Sequence, residues 1–142
     1  MRKVEFFDTS LRDGEQTPGV SLQTPEKIEI AKGLVRLGID VIEAGFPAAS
    51  PGDFEAVQTI AREVKGATIC ALARANEKDV QKAIDALKDA ERSRLHVFIA
   101  ISVLHMDYKL KMTRQVVLDK VKPVLAFASG KVDEIEFSGE DA

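Results

Sequence analysis

The stretch TPEKIEIAKGLVRLGIDVIEA, residues 24–44, carries one complete helix-to-strand unit. Thr24-Pro25 reads as an N-cap followed by a first-turn proline, where the missing N–H leaves no donor unpaired. Ile28, Ala31, Leu34 and Val35 recur at helical spacing and form one apolar face. Gly38 is placed to end the helix, and residues 41–44 (Val-Ile-Glu-Ala) then form a short, mostly apolar run. Strands apolar on both faces belong to parallel sheets, which are covered on both sides.

The same unit repeats on either side. Short apolar runs at residues 3–7, 68–73, 95–101 and 132–137 join the run at 41–44 as five predicted strands. Between them, Ser50-Pro51-Gly52-Asp53 repeats the cap-then-proline pattern, with Asp53 completing a capping box. Asn76 with Asp79 opens a third helix on Val80, Ala83, Ile84 and Leu87. Thr113 opens a fourth on Val116, Val117, Val121 and Val124, which Pro123 is expected to kink or interrupt. The order is βαβαβαβαβ. Right-handed crossovers between strands paired in sequence order place every helix on one side, the beginning of a (β/α)8 TIM barrel. A whole barrel needs about 250 residues. The 142 residues are therefore read as the first half of one, from β1-α1 to β5, in a single catalytic domain portion spanning 1–142. The competing open doubly wound sheet usually marks its first turn with several glycines, whereas residues 9–15 hold one.

Composition narrows the function. Hydrophobic residues are 45% and charged residues 30% of the chain, ordinary for a soluble globular domain. A net charge of −3 with dispersed Lys and Arg argues against a nucleic-acid surface. No apolar run approaches the ~18 residues of a membrane span. Met1-Arg2-Lys3-Val4-Glu5 leads into no secretory apolar region. The single cysteine, Cys70, cannot form an internal disulfide, sits in an apolar run, and is read as a buried small hydrophobe in a cytoplasmic protein.

In a (β/α)8 barrel the active site forms at the C-terminal strand ends. The residues after each run are Asp8, Arg12, Asp13, Glu15 and Gln16; Glu43, Gly45, Phe46 and Pro47; Arg74 and Asn76; and Ser138, Glu140 and Asp141. His96 is placed at the start of the fourth run and Ser102 at its end. Hard oxygens suit Mg²⁺ or Mn²⁺, and imidazole widens the choice to Zn²⁺ or Co²⁺. A carboxylate holding a cation beside an arginine suits carbonyl chemistry on a 2-oxo acid. Taken alone, Arg12-Asp13 is weak evidence, since adjacent opposite charges in a loop are usually solvated or paired with neighbours. Asp8 and Glu43 are expected to orient Arg12 or Arg74, and His105 to be structural.

The string Asp8-Thr9-Ser10-Leu11-Arg12-Asp13-Gly14-Glu15-Gln16-Thr17-Pro18-Gly19 closely resembles the opening signature of the 2-isopropylmalate, homocitrate and citramalate synthase family. Further segments match in order: residues 41–53, 72–76, 96–100 with 105–106 and 108–113, and 136–138 with 140–142. The resemblance implies an acyltransferase of leucine biosynthesis: a metal-dependent Claisen condensation of acetyl-CoA with 3-methyl-2-oxobutanoate, with Mn²⁺ or Mg²⁺ as cofactor. It implies Asp13 as a metal ligand and Arg12 as the stabiliser of the oxyanion. It sets Glu140 near the 2-oxo acid as a catalytic residue, and Gln16, Arg74, Asn76, His96 and Ser138 as substrate-binding. A homodimeric parent, small-molecule partners and no nucleic acid or membrane are expected.

One departure matters. The family completes its metal site with a His-x-His pair late in the barrel, followed by Asn, whereas this chain has only His96 and His105. The chain by itself is therefore expected to be inactive unless another chain supplies the missing half. Homocitrate or citramalate synthesis is the alternative within the family. A non-catalytic, self-associating half-barrel is the alternative of another class, with residues 3–7 and 132–137 as its open edges.

Overall fold

The computed structural model describes residues 3–141, and of Lys109 only the backbone. Met1, Arg2 and Ala142, the last residue of the fifth matching segment, lie outside the described residues. Five strands form one sheet: β1 (Phe7–Asp8), β2 (Val41–Gly45), β3 (Thr68–Arg74), β4 (Ser93–Ala100) and β5 (Glu134–Glu140). Their spatial order is β1-β2-β3-β4-β5 and every neighbouring pair is parallel. Four helices connect them: α1 (Thr24–Arg36), α2 (Pro51–Glu63), α3 (Glu77–Leu87) and α4 (Arg114–Ala128). The predicted half of a (β/α)8 barrel is thus the observed one.

Side chains alternate across each strand. Ile42, Ala44, Ile69, Ala71, Ala73, Leu95, Val97 and Ile99 pack on the helical side with Val57, Ile60, Ala61, Val80, Ala83, Leu87, Val121 and Val124. Val57, Ile60 and Val80 are wholly buried, and each such side chain contributes roughly 1.5–3 kcal/mol of apolar transfer. The intervening residues, among them Glu43, Cys70, Arg94, His96, Glu136 and Ser138, occupy the opposite, concave side. The bulge between Glu43 and Gly45 shifts the β2–β3 register. Gly45 has φ 153°, and a Cβ there would stand 3.0 Å from Val57 Cγ2, so glycine lets α2 close onto the sheet.

Helix starts follow side-chain chemistry. Ser50 Oγ accepts from Asp53 N at 3.1 Å, Asn76 Oδ1 from Asp79 N at 3.0 Å, and Thr113 Oγ1 from Val116 N at 3.3 Å. The first cap is shifted by one residue from the expectation. Gln23 is the N-cap of α1 and its N–H donates to Glu26 Oε2 at 2.7 Å, so Thr24 is already helical. Pro123 does not interrupt α4, which runs through it. The one lost backbone donor is outweighed by burial of Val117, Val121, Val124 and Ala128.

Strand ends differ more. The first run pairs only at Phe7–Asp8, because Asp40 Oδ2 takes the Phe6 N–H at 2.9 Å and leaves residues 3–6 exposed. Asp133 caps Ser93 N and Ser93 Oγ, both at 2.8 Å, so β4 begins earlier and β5 later than their apolar runs. His96 is consequently the fourth residue of β4, not its start, and Ser138 and Glu140 lie within β5, not after it.

Candidate active site

The first βα loop is built by its own backbone. Thr9 O accepts from Arg12 N, Asp13 N and Gly14 N at 3.1, 2.8 and 3.1 Å. Asp8 accepts from Ser10 N at 2.9 Å, so it shapes this loop and does not orient an arginine. Leu11 is fully buried and pins the loop to the core. Glu15 pairs at 2.6 Å with Lys27, a buried lysine of α1.

Arg12 leaves this loop toward the concave face. Its Nη1 donates to Asp13 Oδ1 at 2.9 Å and its Nε to Glu43 Oε2 at 2.6 Å. Glu43 is wholly buried, and its other oxygen lies 2.7 Å from His96 Nδ1. His96 Nε2 lies 2.7 Å from Ser138 Oγ. The Phe7 ring stands at right angles to the imidazole, with 6.2 Å between centroids. A single polar chain, Asp13–Arg12–Glu43–His96–Ser138, therefore crosses from the first loop through β2 and β4 to β5. A buried carboxylate is tolerable only when paired and hydrogen-bonded, and Glu43 meets both conditions.

Beneath this chain, Arg94 gathers three carboxylates. It bonds Glu134 through Nε at 2.7 Å, and Glu136 and Glu5 at 3.3 Å each. These bonds reach from β5 to the segment before β1, so the curl of the sheet closes around one guanidinium. Cys70 is buried beside this layer. Burial, then the negative charge of Glu43 and Glu136, pushes its thiol well above the ordinary range, so it stays protonated.

The remaining predicted residues line two hollows at the C-terminal strand ends. Arg12 and Gln16, with Glu15, Phe46 and Asp53, border one of about 190 Å³. Arg74, Asn76 and Glu140, with Phe98 and Lys120, border another of about 250 Å³. The two meet where Phe46 and Phe98 pack edge-on, 6.5 Å between centroids. Arg74 forms two bonds to Asp79, at 2.6 and 3.2 Å, lies 5.6 Å above the Phe46 ring, and has its pKa raised by the Asp79 pair. Asn76 uses its side-chain oxygen to cap α3. His105 Nδ1 sits 2.8 Å from Ser102 Oγ and 3.0 Å from Asp141 Oδ2, joining the loops after β4 and β5. These bonds from Ser102 and His105 hold the Asp141 carboxyl below the usual range.

Glu43 is the partner of Arg12, as expected, but its second bond to His96 was not legible from the sequence. Arg94 was missed altogether. A signal existed: Arg94-x-His96 and Glu134-x-Glu136-x-Ser138-x-Glu140 alternate polar residues at period two, as a one-sided polar face does. Among the described residues no three His, Cys, Asp or Glu side chains converge to hold a metal. Asp13 offers one exposed carboxylate, and divalent hard ions take about six oxygens. These residues alone therefore do not make a metal site.

A parallel half-barrel with its polar groups on the concave face and at the C-terminal strand ends defines a (β/α)8-barrel domain. Residues 3–142 match the HMGL-like family, and the chain belongs to that family. It is 61% identical over 142 residues to the 2-isopropylmalate synthase 1 of Caldanaerobacter subterraneus subsp. tengcongensis, covering all of this chain and 36% of that protein. It is 61% identical over 141 residues to the 2-isopropylmalate synthase of Pyrococcus furiosus, covering 99% of this chain and 28% of that one. The chain thus spans about a third of the length of these relatives. In three dimensions it resembles an HMG-CoA lyase of A. baumannii in complex with coenzyme A and 3-methylmalate, with TM-score 0.69 and 26% identity over 95% of this chain and 43% of that one. An HMG-CoA lyase of B. subtilis, at TM-score 0.72 and 24% identity over 95% and 46%, supports the fold. The family expectation drawn from residues 8–19 is borne out.

Proposed function

We propose that this chain forms the first half of the catalytic barrel of a 2-isopropylmalate synthase. The reaction joins the methyl carbon of acetyl-CoA to the keto carbon of 3-methyl-2-oxobutanoate, and hydrolysis of the thioester then releases CoA. The supporting observation is the Arg12 guanidinium, held at 2.6 Å by the buried Glu43 beside the hollow that Gln16 borders. A cation fixed in this way stabilises the alkoxide that forms as the keto carbon is attacked, without reorganising during the reaction. In this reading Gln16, Arg74, Asn76, His96 and Ser138 line the substrate pocket, and Glu140 faces the 2-oxo acid from β5. The reading includes Mn²⁺ or Mg²⁺ with Asp13 as a ligand, a homodimeric cytoplasmic parent, and a place in leucine biosynthesis. The described residues by themselves supply too few donors to hold that ion.

The test is CoA release with acetyl-CoA and three 2-oxo acids, the branched one and the acceptors of the homocitrate and citramalate reactions, using the protein that carries this half-barrel. Preference for the branched acid, lost by at least about 100-fold in Arg12→Gln, supports the reading. Preference for another acid reassigns the substrate, and unchanged turnover in Arg12→Gln overturns the role of Arg12. The exposed apolar residues Val4, Phe6, Ile135 and Phe137 at the two outer strands favour a second reading, self-association of half-barrels. A monomer by light scattering refutes it.

A further inference from the structure

We propose that Glu43 is a positioning residue that sets the hydrogen-bond polarity of the site: it holds His96 as the neutral Nδ1–H tautomer, so that Ser138 commits its proton to Nε2 and meets a bound molecule as an acceptor. The inference deepens the reading above, on which its consequence for the substrate rests.

The argument runs along the polar chain from its charged end. Arg12 has only donors, so Glu43 Oε2 accepts from Nε. The ionised carboxylate has no proton to give, so Oε1 also accepts, and the hydrogen lies on His96 Nδ1. A neutral imidazole, the form that prevails above the ordinary range of about 6.5, carries one proton, and the Glu43 bond at 2.7 Å places it on Nδ1. Nε2 is therefore a lone pair, and at 2.7 Å its partner Ser138 Oγ is the donor. Among the described residues the imidazole nitrogens bond to Glu43 on one side and Ser138 on the other.

Two consequences follow. Both nitrogens of His96 are engaged by protein, so the histidine has no hydrogen bond left for substrate and acts in polar contacts through Ser138. Ser138, with its proton committed, offers only lone pairs. It matches a group that brings a hydrogen: a water, or the 2-hydroxyl into which the keto oxygen is converted. It does not match the carboxylate of a 2-oxo acid.

Histidine-labelled chain tests this by long-range proton–nitrogen correlation at about pH 8, above the ordinary imidazole range near 6.5. The sequence has two histidines, so His105→Asn assigns the spectrum. The expected result is one protonated nitrogen on His96, Nδ1, and one bare nitrogen, Nε2. Ser138→Ala should keep that tautomer, since Glu43 dictates it. Glu43→Gln should reverse it: the amide oxygen goes to the charged Arg12 donor, the amide NH₂ faces Nδ1, and the proton moves to Nε2. A wild-type His96 that is protonated on Nε2 or on both nitrogens overturns the proposal, as does a tautomer that follows Ser138→Ala and not Glu43→Gln. The wild-type spectrum decides even if Glu43→Gln does not fold. None of these readouts depends on turnover, so the condensation reading can fail while the tautomer stands.

Discussion

Lys27 is the residue whose replacement tests most directly how the site loop is held. It is 5% exposed, and its ammonium lies 2.6 Å from Glu15, whose side chain is 23% exposed. At an effective dielectric near 20 the bare attraction is about 6 kcal/mol, but several kcal/mol per ion are lost on desolvation. The net pair is therefore small, whereas breaking it from one side is not. Glu15→Gln leaves a buried ammonium without a counter-charge, for which about 3–5 kcal/mol is typical. Water reaches Glu15, and the glutamine oxygen still accepts from the ammonium, so about 2–3 kcal/mol is expected. Lys27→Met removes the buried charge, keeps most of the stem, and leaves a carboxylate that can hydrate, for about 1 kcal/mol. The double variant should lie within about 1 kcal/mol of wild type, giving a coupling energy of about 2 kcal/mol. Urea titrations of the four proteins measure this. With a slope of about 2 kcal/mol/M, Glu15→Gln should move the midpoint by roughly 1 M. Singles that simply add, or a Glu15→Gln midpoint equal to wild type, would show that this pair does not clamp the loop to α1.

Other outcomes follow from single contacts. Ser50→Ala removes the hydroxyl that accepts from Asp53 N and donates to Asp53 Oδ2, and should destabilise α2 by about 1 kcal/mol in the same titration, with Ser50→Thr restoring most of it. Cys70 should resist a disulfide-exchange reagent in the native state and react only on unfolding, because the thiol is both buried and kept protonated; rapid native labelling contradicts this burial. Asp40 and Asp133 carry carboxyls held below 3.8 by the backbone N–H groups of Phe6 and Ser93. Their contribution is present above that value and lost as pH falls through their lowered pKa. The unfolding midpoint should stay level from neutral pH to about 5 and drop below about 4, and Asp133→Asn should flatten that drop.

Most of the fold was legible because it rests on local signals. Proline and cap residues marked the helix starts to within one residue, and apolar runs marked all five strands. Strand ends were less legible, because distant side chains set them. Asp40 intercepts the Phe6 N–H, and Asp133 intercepts Ser93, neither of which is visible in the strands themselves. The site shows the same division. Residues 8–19 were sufficient to indicate the family and to single out Arg12 and Asp13. Glu43 was read as an orienting carboxylate, but not as the hinge of the whole polar chain, since His96 is 53 residues away.

What the sequence alone determined was the repeating βα unit, the parallel sheet and the family, all written in spacing along the chain. The tertiary structure alone decided that β4 turns His96 and Arg94 inward while β2 turns Glu43 to meet them. The register of parallel strands joined by helical crossovers sets which residues face each other across the sheet. That register depends on the packing of α2 and α3 onto the sheet and on the bulge at Gly45, not on any local pattern.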